Sequence, residues 1–261
     1  MGGSINVYHC KDKRQVVKYS TMLFGSKSIM NNPINKLLLQ EKINGKEFII
    51  NTISIENKHF ITDMWSYKKK YIKNGGVIIE RVFLEDYKNY YKEFVTYINS
   101  VLSALGVEYG ASHIEVFYTD KGLRLIELGA RIMGGEFDRA LWSRISSISQ
   151  VDAISKILNN EKLEQNMFFR KARFCFVLFP SYEKGIVEDV LELSNIKHDC
   201  KSLYKYKVLV KKGDSLDVAK DDEGPFLASF MLINNNDEIF KKDLKYIESL
   251  ENKFIRICNE K

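Results

Sequence analysis

A chain of 261 residues, 45% hydrophobic and 28% charged, has a globular composition and enough apolar surface for one large domain or two intimate ones. No apolar run approaches the roughly 18 to 20 residues a bilayer-spanning helix needs, and MGGSINVYHCKDKR at the start lacks the uninterrupted apolar stretch of a secretory signal. The formal charge of +6 comes from 40 basic residues scattered among 34 acidic ones, which favours an anionic nucleotide or phosphate over nucleic acid as partner and implies no membrane.

In chain order, Gly2-Gly3-Ser4 precedes a short strand-like run, Ile5 to Cys10, and the polar stretch from Asp12 to Ser20 seats a short helix on Val16, Val17 and Tyr19. Three β-rich runs follow, LLLQEKI (37–43), EFIINTISI (47–55) and HFITDMW (59–65), the last two joined by a hairpin turn at Glu56-Asn57-Lys58. Lys68, Lys69 and Lys70 form the one basic run, which reads as a solvated face within a loop that also holds Gly75-Gly76. From Asp86 to Leu105 the positions Tyr87, Tyr91, Phe94, Ile98, Val101, Leu102 and Leu105 recur at helical spacing, with Gly106 where a C-cap belongs. Ser149 caps a helix running to about Leu158. Strands at 172–179, 185–190, 204–210 and 226–233 precede a terminal helix from Asp237 to about Ile257. Strands dominate both halves with helices interspersed, the pattern of an α+β fold with antiparallel sheet. Cys10, Cys175, Cys200 and Cys258 lie far apart without a CxxC pair and read as reduced, buried thiols of a cytoplasmic protein.

The stretch HIEVFYTDKGLRLIELGAR (113–131) carries the chemistry. Asp120-Lys121-Gly122 suits a three-residue hairpin connection with a left-handed glycine, which pairs Thr119 with Leu123, Glu115 with Glu127 and His113 with Gly129. Alternation then turns Ile114, Val116, Tyr118, Ile126 and Leu128 to the core. Like charges directly opposite on a sheet, with β-carbons about 4.5 to 5.5 Å apart, are destabilising and call for a shared proton, a nearby cation or a bridging divalent metal. Of these, Mg²⁺ suits hard carboxylate oxygens best and needs only one or two of them plus phosphate oxygens. A register one residue away would instead leave both glutamates on a half-exposed surface.

GASHIEVFYTDKGLRLIELGARIMGG resembles the signature of the ATP-grasp ligases, LLLQEKINGKEF is similar to their adenine hinge, and Ser4-Ile5-Asn6-Val7 to the end of their glycine-rich loop. Residues 172–233 resemble the antiparallel closing part of the L-amino-acid-ligase and biotin-carboxylase-like branch. The resemblance implies an ATP-grasp-type α+β fold in three parts: a nucleotide-binding remnant over 1–65, a metal and catalytic part over 66–165, and a closing part over 166–261. It also implies an ATP- and Mg²⁺-dependent carboxylate–amine ligase working through an acyl phosphate, with ATP, a small amino-acid-like carboxylate and an amine as its ligands.

Residue by residue, the resemblance puts Ser4 in the phosphate loop, Gln40, Glu41, Lys42 and Ile43 at the adenine and Glu47 at the ribose. Glu115 and Glu127 become the Mg²⁺ ligands. Arg131 becomes the catalytic cation on the substrate carboxylate, with Gly134 and Gly135 at the backbone turn substrate approaches. His113 resembles the histidine before the metal glutamate, or is a sheet histidine opposite a glycine. Gly75-Gly76 is the candidate lid. Gly129 departs from the family's asparagine, a ligand of its second metal. The chain also starts within the glycine-rich loop, without the family's N-terminal domain and phosphate-binding lysine strand. That start implies a split or partial ligase completed by a partner chain or within a homo-oligomer. A non-catalytic nucleotide-binding or interaction module and a basic nucleic-acid binder are the other readings.

Overall fold

A computed structural model describes residues 5–28, 30–71, 77–86, 91–135, 137–164, 167–221 and 224–258; Ser4, Gly75, Gly76 and Tyr87 lie outside the described residues. The elements are α1 (Lys13–Leu23), β1 (Lys46–Ile55), β2 (Lys58–Tyr71), β3 (Val77–Leu84), α2 (Tyr91–Ala104), β4 (Gly110–Thr119), β5 (Gly122–Gly129), α3 (Arg139–Ile145), α4 (Gln150–Leu158), β6 (Arg173–Pro180), β7 (Gly185–Val190), α5 (Ile196–Asp199), β8 (Leu203–Val208), β9 (Ser215–Leu216), β10 (Phe226–Asn234), α6 (Asp237–Leu250) and β11 (Ile255–Cys258). Eight strands form one sheet in the order β5-β4-β1-β2-β3-β6-β10-β8, and three form a second in the order β11-β7-β9. Every pairing is antiparallel, the α+β arrangement expected. Among the described residues no helix is long and apolar enough to cross a membrane.

Local signals explain most elements. Asp12 caps α1 by accepting from the Gln15 amide at 2.9 Å, and Ser149 and Asp152 form a reciprocal capping box on α4. α2 buries Phe94, Ile98 and Leu102 against Phe48 and Ile50 of β1 and Ile114 and Val116 of β4. It stops where Gly106 turns left-handed at φ +67°, and the Val107 amide returns to the Leu102 carbonyl. Glu56 and Asn57, both at positive φ, make the tight β1–β2 connection, with Ile55 opposite Lys58. A second core gathers Phe179, Phe230, Phe240, Ile247 and Phe254 under the closing part. All four cysteines are free; burial raises Cys175 and takes Cys200 to about 12, so neither is a nucleophile at neutral pH.

Several expectations fail for identifiable reasons. The runs 5–10 and 37–43 are not strands. Leu38 and Leu39 are 81% and 73% exposed, because the 37–43 segment has β propensity but no neighbouring strand to pair with among the described residues. The lysine run is not a loop: β2 continues through it to Tyr71 and pairs with β3, a strand the reading passed over. The terminal helix ends at Leu250, where a tight turn over Glu251–Lys253 leads into β11, whose alternation Ile255, Ile257 fits β7. α3 was also passed over; seven residues are too few for a periodic signal.

The candidate active site

The β4–β5 hairpin pairs Glu115 with Glu127 and His113 with Gly129, as the sequence implies, by a route the sequence does not show. The connection is one residue shorter than expected, with Thr119 opposite Gly122 at φ +86°. A bulge between the Glu115 and Val116 pairings restores the register by leaving Ile126 without a partner. Ile126 is therefore 39% exposed rather than in the core, and Leu123 takes its place.

Pairing carries one face across the sheet. Ile49 sits between Glu115 and Trp65, and Asn51 between His113 and Asp63, so Glu47, Ile49 and Asn51 share the face of His113, Glu115, Glu127, Asp63 and Trp65. Gly45, just before β1, has no room for a side chain, since a β-carbon there would stand 2.4 Å from the Tyr118 carbonyl oxygen. This close approach sets Glu47 beside β4.

Glu47 lies close enough to Glu115 for the two charges to act on each other, and Lys69 holds Glu47 Oε1 at 2.6 Å. Burial pushes the Glu47 carboxyl up, against the pull of the Lys69 ammonium. Burial also acts to raise Glu115, but the neighbouring His113 ring and the Lys69 charge outweigh it and hold that carboxyl below its ordinary value. Glu127 is exposed and makes no hydrogen bond or ion pair with any described residue. Two carboxylates with an open neighbour are what a magnesium ion completed by phosphate and water oxygens requires, rather than an all-protein cage.

His113 is oriented from behind. Buried Asp63 accepts from Asn51 Nδ2, from Trp65 Nε1 at 2.5 Å and from Thr62 Oγ1 at 2.9 Å; burial raises its carboxyl, and these three donors oppose the rise. The Asn51 amide is therefore turned so that its oxygen faces His113 Nδ1 at 2.8 Å, and that nitrogen must donate. His113 Nε2 is left facing Glu115 Oε1 at 3.6 Å.

Arg131 reaches the same face without strand continuation. β5 ends at Gly129, the Arg131 amide bonds back to the Gly129 carbonyl at 2.8 Å, and the guanidinium stem folds over the space a β-carbon on Gly129 would occupy. Gln150, at the start of α4, then clamps the following loop: its Oε1 accepts from the Met133 amide at 2.8 Å while Nε2 bonds the Thr52 and Ser112 carbonyls at 3.0 and 3.1 Å. Gly135 is at φ +122°, and nothing lies within 4 Å of a β-carbon on Gly134, so the backbone there is open to approach.

Gln40, Glu41 and Lys42, expected at an adenine, are exposed and Ile43 is half-buried. Burial lowers His9, as do the charges of Lys42 and Lys69, so both cations lie near this half-buried ring. The sequence reading missed Lys69, Asn51, Asp63, Gln150 and His9. Strand alternation along SYKKKY was the available signal for Lys69; the others depend on cross-strand and cross-element neighbours.

The ATP-grasp domain family matches residues 2–138. Dapdiamide A synthase of Enterobacter agglomerans is 30% identical over 188 residues, 69% of this chain and 44% of that protein. The L-amino acid ligase of Bacillus licheniformis superposes with a TM-score of 0.62 at 17% identity, covering 84% of this chain and 53% of that one. Phosphoribosylglycinamide synthetase of Anaerococcus prevotii gives 0.58 at 16% identity, covering 84% and 55%. The chain thus spans about half the length of the relatives it matches.

Proposed function

The chain belongs to the ATP-grasp family, and from that premise we propose that it carries the metal and phosphate end of an ATP-dependent carboxylate–amine ligase. In the proposed reaction a substrate carboxylate oxygen attacks the γ-phosphorus of ATP, the bond to the bridging oxygen breaks and ADP leaves. The amine nitrogen then attacks the acyl carbon, losing a proton, and phosphate departs as the amide forms. The named relatives, a dapdiamide synthase and an L-amino acid ligase, support an amino acid as one of the joined partners.

The observation that carries this reading is the cross-strand pairing that places Glu47, Glu115 and Glu127 on one sheet face, with Lys69 in contact with Glu47 and Glu127 without a partner among the described residues. Glu115 and Glu127 would hold Mg²⁺, which supplies charge neutralisation on the transferring phosphoryl group. Lys69 offers a second positive charge from β2, and Arg131 a third over the substrate carboxylate. Two anions repel as they meet, so positioned cations lower the barrier more than any acid or base would. His113, fixed by Asn51 and Asp63, stands beside Glu115 and would bound the space in which that carboxylate could meet the metal. Gln40 to Ile43 would meet the adenine. For Glu47 to reach the ribose it would have to leave Lys69, so we assign it to aiming that lysine instead.

The test is thermal unfolding of the chain with ADP or ATP, with and without Mg²⁺. Stabilisation that needs both, and that vanishes in Glu127→Gln, is expected. A nucleotide shift unaffected by Mg²⁺ and by Glu127→Gln would refute the metal assignment. Binding without ADP release for any acid and amine pair would favour a nucleotide-binding module.

A further inference from the structure

The face that bears the carboxylates continues past Lys69 into an apolar region. Cross-strand pairing sets Tyr67 beside Val82, Val82 beside Phe176, and Phe176 beside Met231, a row over four strands. A cavity of about 360 Å³ opens on this row, with Gly134 and Gly135 in its wall. That volume lies within the range of roughly 300 to 1,000 Å³ typical of small-molecule sites.

We propose that this cavity is the side-chain pocket for an amino-acid substrate and selects a branched aliphatic or aromatic side chain; the proposal rests on the ligase reading above. Continuity with the site supports it. Met133, also in the wall, has its amide held by Gln150, and its Sδ lies 3.0 Å from Asn51 Nδ2, within the network that orients His113 and Glu115. A substrate with its carboxylate under Arg131 and its backbone along Gly134 and Gly135 would send its side chain over this row.

The lining fixes the chemistry. No aspartate or glutamate is among the lining residues, so a cationic side chain would shed water with no counter-ion. The two charged lining residues are Lys205 and Lys207, exposed on the edge strand β8, and their ammonium groups repel a cation further. An acidic side chain would meet these lysines only at the exposed rim, with its stem on hydrocarbon. A branched aliphatic or aromatic side chain gains from the whole floor.

The experiment is calorimetric titration of the chain, saturated with ADP and Mg²⁺, with L-leucine, L-phenylalanine, glycine, L-lysine and L-glutamate. Leucine or phenylalanine should bind about tenfold or more tighter than glycine, with lysine weakest. Ser229→Trp, which brings an indole into the cavity from half-buried Ser229 on β10, should erase that preference while ADP and Mg²⁺ still bind. Equal affinities, or tightest binding of lysine or glutamate, with ADP and Mg²⁺ bound, would overturn the pocket assignment and leave the ligase reading standing. Failure of ADP and Mg²⁺ to bind would remove the ligase reading, and the pocket with it. If Ser229→Trp does not fold, the series on the unmodified chain decides.

Discussion

Two acidic groups occupy opposite faces of the same sheet, and strand alternation divides the lysine run between them. Lys68 and Lys70 point to one face, where Glu80, Glu248 and Glu251 meet Arg81: Lys68 lies 3.7 Å from Glu248, Lys70 3.8 Å from Glu80, and Arg81 3.3 and 3.2 Å from Glu248 and Glu251. Arg81 is 2% exposed and also donates to the Glu80 and Leu178 carbonyls. Three acids face three permanent cations there. Lys69 points to the other face, where Glu47, Glu115 and Glu127 gather and Glu127 has no partner among the described residues. The first group is balanced in charge, although Glu251 Oε1 is buried without a hydrogen-bond partner among the described residues, and it belongs to the architecture, pinning β3 to α6; the second is unbalanced and is where an external cation belongs. Charge balance, rather than the number of acidic residues, separates a structural cluster from a functional one.

The largest effect should come from the balanced side. Arg81→Ala leaves Glu248 and Glu251 facing a buried gap and should cost about 3 to 5 kcal/mol in urea unfolding. A loss under about 1 kcal/mol would break the comparison. Asp63→Asn should come next, at about 1 to 3 kcal/mol, since one of the donors aimed at that position is left unsatisfied. It should also release the Asn51 amide, and nitrogen NMR of His113 should then show both ring tautomers instead of one. Glu115→Gln removes negative charge from the acid-rich side, so stability should stay within about 1 kcal/mol of the parent while the Mg²⁺-dependent nucleotide shift disappears. Stability loss matching that of Arg81→Ala would mean that Glu115 serves the fold.

The smallest effect belongs to an exposed pair outside both groups. Arg173 grips Asp237 at 2.6 and 2.5 Å, and this hydrogen-bonded guanidinium holds the carboxyl below its usual value. The stabilisation is fully present above the unfolded value, about 3.9, and is lost as pH falls through the depressed folded value. The acid limb of a stability-versus-pH curve should therefore be shallower in Asp237→Asn. An unchanged limb would show that solvent screens the pair entirely.

What the sequence by itself determined was local. The 3.6-residue spacing of Phe94, Ile98 and Leu102, the Ser149 cap and the β-branched run in 47–55 fixed α2, α4 and β1, because each signal lies within one element. The meeting of Glu115 with Glu127 was legible as well, since a hairpin's two strands are neighbours along the chain, although the shorter turn and the bulge at Ile126 that together produce it were not. Only the tertiary structure decided that Gly45 presses Glu47 against β4, that Lys69 faces the site while its neighbours turn away, and that Asp63, through Asn51, sets His113. Those relations join residues far apart in the chain through strand order and bulges, as with Gly45 against Tyr118 and Glu47 paired with Phe117 across β1 and β4. A one-residue shift in any ladder sends each such side chain to the opposite face, and nothing local in the sequence records that choice.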